Sequence, residues 1–298
     1  MFNLSIMPIT HINGVNLFWE LTGDRGEPLI LVHGSWGDHH NWDAVVPGLA
    51  KKFRVVTYDR RGHSQSERPA GQGFVREDVD DLAALINYLK LAPVHIIGNS
   101  FGSIITLKLA TQNPELFKSM FIHEPPLFTL LEGKPETQIA LQIVTERIHA
   151  VVGLLKQGKN AEGAELFVET IAFVPGAWKT FAPELQQIFI FNAPTWLDEL
   201  QDDDSLRLDT NKLKDFSKPV FISQGELSPP FFPVVIDLIS AALPYAQRKT
   251  FIGAGHVPHI SHPAEYVKEV TDFMGKAEQH DDMTLIMVRI GESVPEGA

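Results

Sequence analysis

The sequence predicts an α/β fold, with a mostly parallel central sheet, helices on both faces and an inserted helical cap. Three observations carry this. Short, wholly apolar runs alternate with amphipathic helical stretches, the pattern of strands buried beneath crossover helices. A Ser flanked by two glycines, Gly98-Asn99-Ser100-Phe101-Gly102, stands where such a run passes into an apolar helix. The alternation stops after Pro125-Pro126 and resumes at Pro219.

Taken in order, residues 9–19 read as a hairpin turned at Asn13-Gly14, a pair that accepts positive φ. Residues 28–32 and 55–58 read as short buried strands. Val79, Leu82, Ile86 and Leu89 share one face of a helix over about 77–90. Residues 94–97 form the strand before Ser100, 103–110 the helix after it, and 119–122 the next strand. Residues 127–214 show no convincing buried strand. They read as helices around 140–155, 161–172 and 183–191 with many large aromatic groups. Gln201-Asp202-Asp203-Asp204 reads as a solvated, hinge-like loop. Strands at 219–223 and 249–252 and helices at 233–242 and 264–274 complete the core. The expected division is a core of residues 1–126 and 215–276, a cap of 127–214 and a tail of 277–298 with an extra strand.

Composition removes several function classes. Net charge is −12, and Lys and Arg form no cluster, which argues against nucleic acid or an anionic membrane as partner. With no cysteine there is neither a disulfide nor a thiolate metal site. The first eight residues lack a basic n-region, and no stretch reaches the length of a bilayer span, so a cytoplasmic location is expected. No metal or other cofactor is expected. The expected partner is a small apolar molecule, with a homo-oligomer left open.

Gly98–Gly102 matches the G-x-S-x-G nucleophile elbow. Such a turn is sharp and sets the Ser hydroxyl at a helix N-terminus, where developing negative charge is favoured. A nucleophilic Ser needs a base, and the base an orienting acid. Gly253-Ala254-Gly255-His256-Val257-Pro258-His259 follows the last core strand, and its glycines let the loop carry His256 back over the sheet. His259 and His262 read as ordinary loop or helix-start residues. The loop His33-Gly34-Ser35-Trp36-Gly37 closes the first core strand. The amides of Ser35 and Phe101 are the expected oxyanion donors, and His33 is expected to hold the loop rather than move protons.

Together, His33-Gly34, Asp59-Arg60-Arg61-Gly62-His63-Ser64-Gln65-Ser66, the elbow at Ser100 and Gly255-His256 resemble the α/β-hydrolase superfamily over residues 10–276. The resemblance implies a Ser–acid–His hydrolase of esters, lactones, thioesters or activated C–C bonds, with Arg61 in a structural salt bridge. Members of that superfamily usually carry an Asp where Ser228 stands in Gly225-Glu226-Leu227-Ser228. A hydroxyl cannot stabilise imidazolium, so another carboxylate must serve. Glu124, at the end of the strand after the elbow helix, resembles the acid position of haloalkane dehalogenases and some epoxide hydrolases. Glu124 is the favoured acid and Glu226 the alternative. Because position 100 is Ser rather than Asp, acyl-enzyme chemistry is expected in place of dehalogenation or epoxide opening.

The leading expectation is a serine esterase acting on small or medium apolar acyl groups, with Trp36, Phe128, Trp178 and Trp196 lining the pocket. A C–C bond hydrolase, hydroxynitrile lyase or perhydrolase would use the same site. The missing Asp at position 228 leaves a non-catalytic small-ligand receptor as the alternative of a different class. The tail segment 279–290, with Asp281-Asp282-Met283-Thr284, resembles the closing strand of metal-dependent serine/threonine phosphatases over a dozen residues only. The rest of that fold is absent, so an appended strand without metal is expected.

Overall fold

A computed structural model of the protein describes residues 9–276. The tail strand expected within 277–298 lies outside the described residues. Eight strands form one sheet, in the order β1-β2-β4-β3-β5-β6-β7-β8. These are β1 (Ile9–Ile12), β2 (Val15–Thr22), β3 (Glu27–Val32), β4 (Phe53–Tyr58), β5 (Val94–Asn99), β6 (Phe117–His123), β7 (Val220–Gly225) and β8 (Gln247–Phe251). The hairpin β1–β2 and the pair β2–β4 are antiparallel, and every other pairing is parallel. Asn13 and Gly14 both take positive φ, 50° and 77°, as the two-residue hairpin turn requires.

The helices within the described residues are α1 (Val46–Leu49), α2 (Val75–Tyr88), α3 (Phe101–Gln112), α4 (Gln138–Leu155), α5 (Asn160–Phe167), α6 (Pro183–Gln201), α7 (Phe231–Ala242) and α8 (Pro258–Ser261), with a last helix over 263–276. The period of two along each strand sorts its side chains between two cores. On β3, Ile30 and Val32 join Leu82, Ile86, Ile105 and Ile236 on one face. Leu29 and Leu31 join Leu49, Tyr266 and Val270 on the other. Both faces are covered, which is why the strands read as continuous apolar runs rather than alternating ones.

No strand forms between β6 and β7. That span holds α4, α5 and α6, whose apolar faces make a third core with Trp36. Two readings of the segment after residue 191 differ from expectation. α6 does not stop near residue 191 but runs to Gln201 through Pro194. Proline removes one amide from the helical ladder, and the contacts of α6 with the sheet domain hold the helix across that gap. The stretch 202–204 is more than a solvated loop. The Asp202 carboxylate accepts the Val75 amide at 2.8 Å, capping α2, and Lys108 reaches Asp204 at 3.1 Å. Against the expectation of no bilayer-length stretch, the helical segment Pro135–Leu155 is long and apolar enough by length and composition, with 21 residues and a mean hydropathy of 1.2. In this fold it turns Val144, Val151 and Leu155 inward.

Candidate active site

The corner at Ser100 begins with sterics. A Cβ on Gly98 would sit 2.5 Å from the Gly102 carbonyl oxygen, and one on Gly102 would sit 2.2 Å from that of Val32. Only glycine lets β5 fold back onto α3 and α3 lie against β3. Ser100 pays with φ 55° and ψ −124°, a conformation that costs a non-glycine residue about 1–3 kcal/mol. Hydrogen bonds hold it there. The Ser100 amide donates to the His123 carbonyl at 2.9 Å, and the Ser103 hydroxyl donates to the Gly98 carbonyl at 2.7 Å. Ser100 is therefore aimed by β5, β6 and α3 together. The Phe101 amide opens α3 and is among those a helix leaves without an internal partner.

Glu124 and His256 meet. His256 Nδ1 lies 2.6 Å from Glu124 Oε2, and the Gly225 amide donates to Glu124 Oε1 at 2.7 Å. Burial alone would push the Glu124 carboxyl up. The imidazoles of His123 and His256 beside it hold it well below the usual carboxylate range. Glu124 has φ 44°, so the chain bends at the end of β6 to turn its carboxylate toward β7 and the His256 loop. That loop is clipped to the elbow, because Asn99 Nδ2 donates to the His256 carbonyl at 3.1 Å. The His256 ring stacks on Phe232 with centroids 4.6 Å apart. Glu226 is not part of this cluster. It is exposed, and its carboxylate accepts the Gly253 amide at 2.9 Å.

His123, Glu124 and His256 offer donor atoms close enough together to suggest a metal site. The 2.6 Å separation of Nδ1 and Oε2 fits a shared proton. Two ligands each about 2.0–2.1 Å from one zinc ion stand wider apart than that in tetrahedral geometry.

The loop 33–37 packs against the elbow, where a Cβ on Gly34 would come within 2.9 Å of the Ser100 Cβ. His33 staples it, with Nδ1 2.8 Å from the Gly34 carbonyl and Nε2 accepting the Arg60 amide at 3.0 Å. Burial first, then the nearby His63 and Arg60, lowers the His33 pKa well below its ordinary value, so the ring is neutral and bridges as one tautomer. Arg61 is held by Asp81 at 2.7 Å and Glu77 at 2.9 Å, inside the fold as expected. Asp59 accepts the amides of His39 and Gln65, each at 2.9 Å, and shapes the turn after β4.

Helix α6 reaches the same loop. On α6, Asn192, Thr195 and Glu199 recur at helical spacing and face the sheet domain, and Asp202 follows at its C-cap. Asn192 Nδ2 donates to the carbonyls of Trp36 and Gly37, at 3.2 and 3.0 Å, and its Oδ1 accepts the Ser64 amide at 2.9 Å. Trp36 holds a left-handed φ of 69°, so this contact pins a strained residue next to Ser35. Asn192→Ala is expected to lower kcat about tenfold and leave KM within about threefold, because it loosens the loop that carries Ser35 rather than the wall of the cavity. Steady-state kinetics check this, with thermal melts to follow the buried polar groups left unpaired.

Beside Ser100 lies a cavity. Phe128, Ile148, Phe167, Ile171, Trp196 and Phe232 supply most of its apolar wall, and Ser35, Ser100 and Glu199 its polar end. Ile171 and Ala172 reach it from a π-helical turn, Val168–Ala172, a form frequent at functional sites. Of the expected pocket residues, Phe128 and Trp196 line this space. Trp36 and Trp178 do not. Trp36 is fully buried against Phe167 and Trp196, with centroids at 4.7 and 5.4 Å. Trp178 packs on Phe181 at 6.0 Å within the third core. Aromatic abundance does not say which side of a helix layer each ring takes. Phe232 and Glu199 escaped the sequence reading, which ended the helix carrying Glu199 near residue 191.

A sheet of this order, with Ser100 on the strained corner after β5 and a His–carboxylate pair at the same edge, defines the class to which the protein is to be compared. The family described as alpha/beta hydrolase fold matches residues 27–263, and the chain belongs to it. The chain is 37% identical over 124 residues to the uncharacterized hydrolase YraK of Bacillus subtilis, spanning 41% of this chain and 45% of that relative. It therefore spans about half the length of that relative. It is 28% identical over 267 residues to 2-hydroxymuconate semialdehyde hydrolase of Pseudomonas sp., covering 85% and 88% of the two chains. The solved structure of a thermophilic esterase from Thermogutta terrifontis is similar in fold, with a TM-score of 0.70 at 22% identity, covering 88% of this chain and 94% of that one.

Proposed function

We propose that this protein is a serine hydrolase of small or medium apolar esters or lactones, working through an acyl-enzyme. Ser100 Oγ attacks the substrate carbonyl, and His256 Nε2 takes its proton and returns it to the leaving group. Glu124, ionised and bound to Nδ1, fixes the tautomer and balances the imidazolium. The Ser35 and Phe101 amides receive the oxyanion. Water then cleaves the acyl-enzyme by the same proton relay.

The observation that carries this reading is the 2.6 Å contact between His256 and Glu124 on a loop tied to the residue before Ser100. It also answers the absence of an acid at position 228. The apolar wall supports the substrate class. Two measurements test the reading together: turnover of 4-nitrophenyl acetate, and labelling of Ser100 by a fluorophosphonate. A folded protein with neither overturns it. A C–C bond hydrolase on the same residues is the second reading, favoured by the likeness to 2-hydroxymuconate semialdehyde hydrolase. Esters and meta-cleavage diketones assayed side by side separate the two.

A further inference from the structure

We infer that Glu199 makes the cavity selective against substrates bearing a carboxylate, so that the protein takes uncharged acyl compounds. This rests on the proposed placement of substrate beside Ser100 and narrows its class.

Glu199 hangs from α6 and lines the same cavity as Ser35 and Ser100. It is buried, and both its oxygens are engaged. Ser35 Oγ donates to Oε2 at 2.6 Å, and Arg60 Nη2 donates to Oε1 at 2.9 Å. Arg60 does not neutralise this end of the cavity. It is shared with Asp78, through Nε at 3.0 Å and Nη2 at 3.1 Å, so one guanidinium faces two carboxylates. Its guanidinium also lies 4.7 Å over the Phe101 ring, which leaves it poorly placed to turn toward a ligand. Among the described residues lining the cavity there is no Lys or Arg. An anionic substrate would meet a buried fixed charge of the same sign, which is less screened than a charge at the surface.

The groups facing Glu199 are Arg60 from the turn after β4, Asp78 from α2 and Ser35 from the loop 33–37. His63 on the same turn is kept neutral, chiefly by burial. Asp198 on its own helix is paired with Arg68 at 2.7 Å. Burial pushes the Glu199 carboxyl up to about 7, against the pull of Arg60 and Ser35. Its negative charge therefore grows as pH rises through neutrality. Discrimination against anions should grow with it.

The test compares monomethyl glutarate with methyl 4-carbamoylbutanoate, esters that differ in shape only by carboxylate against amide. At pH 8 the protein is expected to favour the amide ester in kcat/KM by about thirtyfold or more, and by several-fold less at pH 6. Glu199→Gln should shrink the ratio and flatten its pH profile, while Glu199→Asp should restore both. A ratio unchanged in Glu199→Gln, or a preference for the carboxylate ester, overturns the inference. Calorimetric binding of the two esters to the Ser100→Ala protein separates the two levels of argument. If the wild type turns over neither ester but Ser100→Ala still binds the amide more tightly, and Glu199→Gln in that background removes the difference, the inference stands and the hydrolase reading falls. No such difference in binding overturns the inference whatever the turnover.

Discussion

Ser100→Ala is expected to lower ester turnover by about 10⁴-fold or more and to abolish fluorophosphonate labelling, because it removes the atom that would form the acyl-enzyme. Stability should barely change. The backbone at 100 is held by the His123 carbonyl and by Ser103, not by the Ser100 hydroxyl. Alanine carries the same Cβ as serine, so the positive φ strains both alike. Kinetics, intact-mass labelling and a thermal melt on one preparation check this. Retention of more than about a hundredth of the activity, far above the residue left when a triad member is lost, would exclude Ser100 as nucleophile.

Glu124→Gln is expected to cost about as much, up to roughly 10⁴-fold in kcat, for two separable reasons. The imidazolium loses its counter-charge. The Gln amide, with its oxygen kept on the Gly225 N–H, would also turn its NH₂ toward His256 Nδ1. That contact favours the tautomer with the proton on Nε2, which cannot accept one from Ser100. Glu226→Gln should stay within about threefold of wild type, since exposed hydrogen bonds of this kind contribute little. Stability gives a further readout. The carboxyl of Glu124 is held low in the folded state, so its contribution is complete above its unfolded value of about 4.3 and is lost as pH falls below that toward the folded pKa. The gap in melting temperature between wild type and Glu124→Gln should therefore narrow on acidification below about pH 4. Near-normal rates in Glu124→Gln with a dead Glu226→Gln would reverse the assignment of the acid.

The fold and the elbow were legible because both are written in near neighbours. Apolar runs of strand length, the glycine pair around Ser100 and the Asn13-Gly14 turn each constrain the chain within a few residues. Glu124 was reachable by position, since the parallel order places the ends of β5, β6 and β7 along one edge of the sheet. The helix α6 shows where such reading stops. In sequence the helix reads as ending near residue 191, and Asp202 to Asp204 as a loop, yet the helix continues through Pro194 and turns Asn192, Thr195 and Glu199 into the sheet domain. Nothing local reveals that Asn192 will meet the Trp36 carbonyl, 156 positions away along the chain. Likewise Trp36 and Trp196 look equivalent as aromatic residues, but only Trp196 lines the cavity. By itself the sequence determined the layer architecture, the corner at Ser100, the candidate His and the two candidate acids, because steric and periodic rules act over short separations. Which carboxylate meets His256, which rings line the cavity and which charge stands among them were decided only by the packing of α6 and the β6 end against distant loops. Those contacts depend on side-chain direction across the tertiary interface, and spacing along the chain does not encode it.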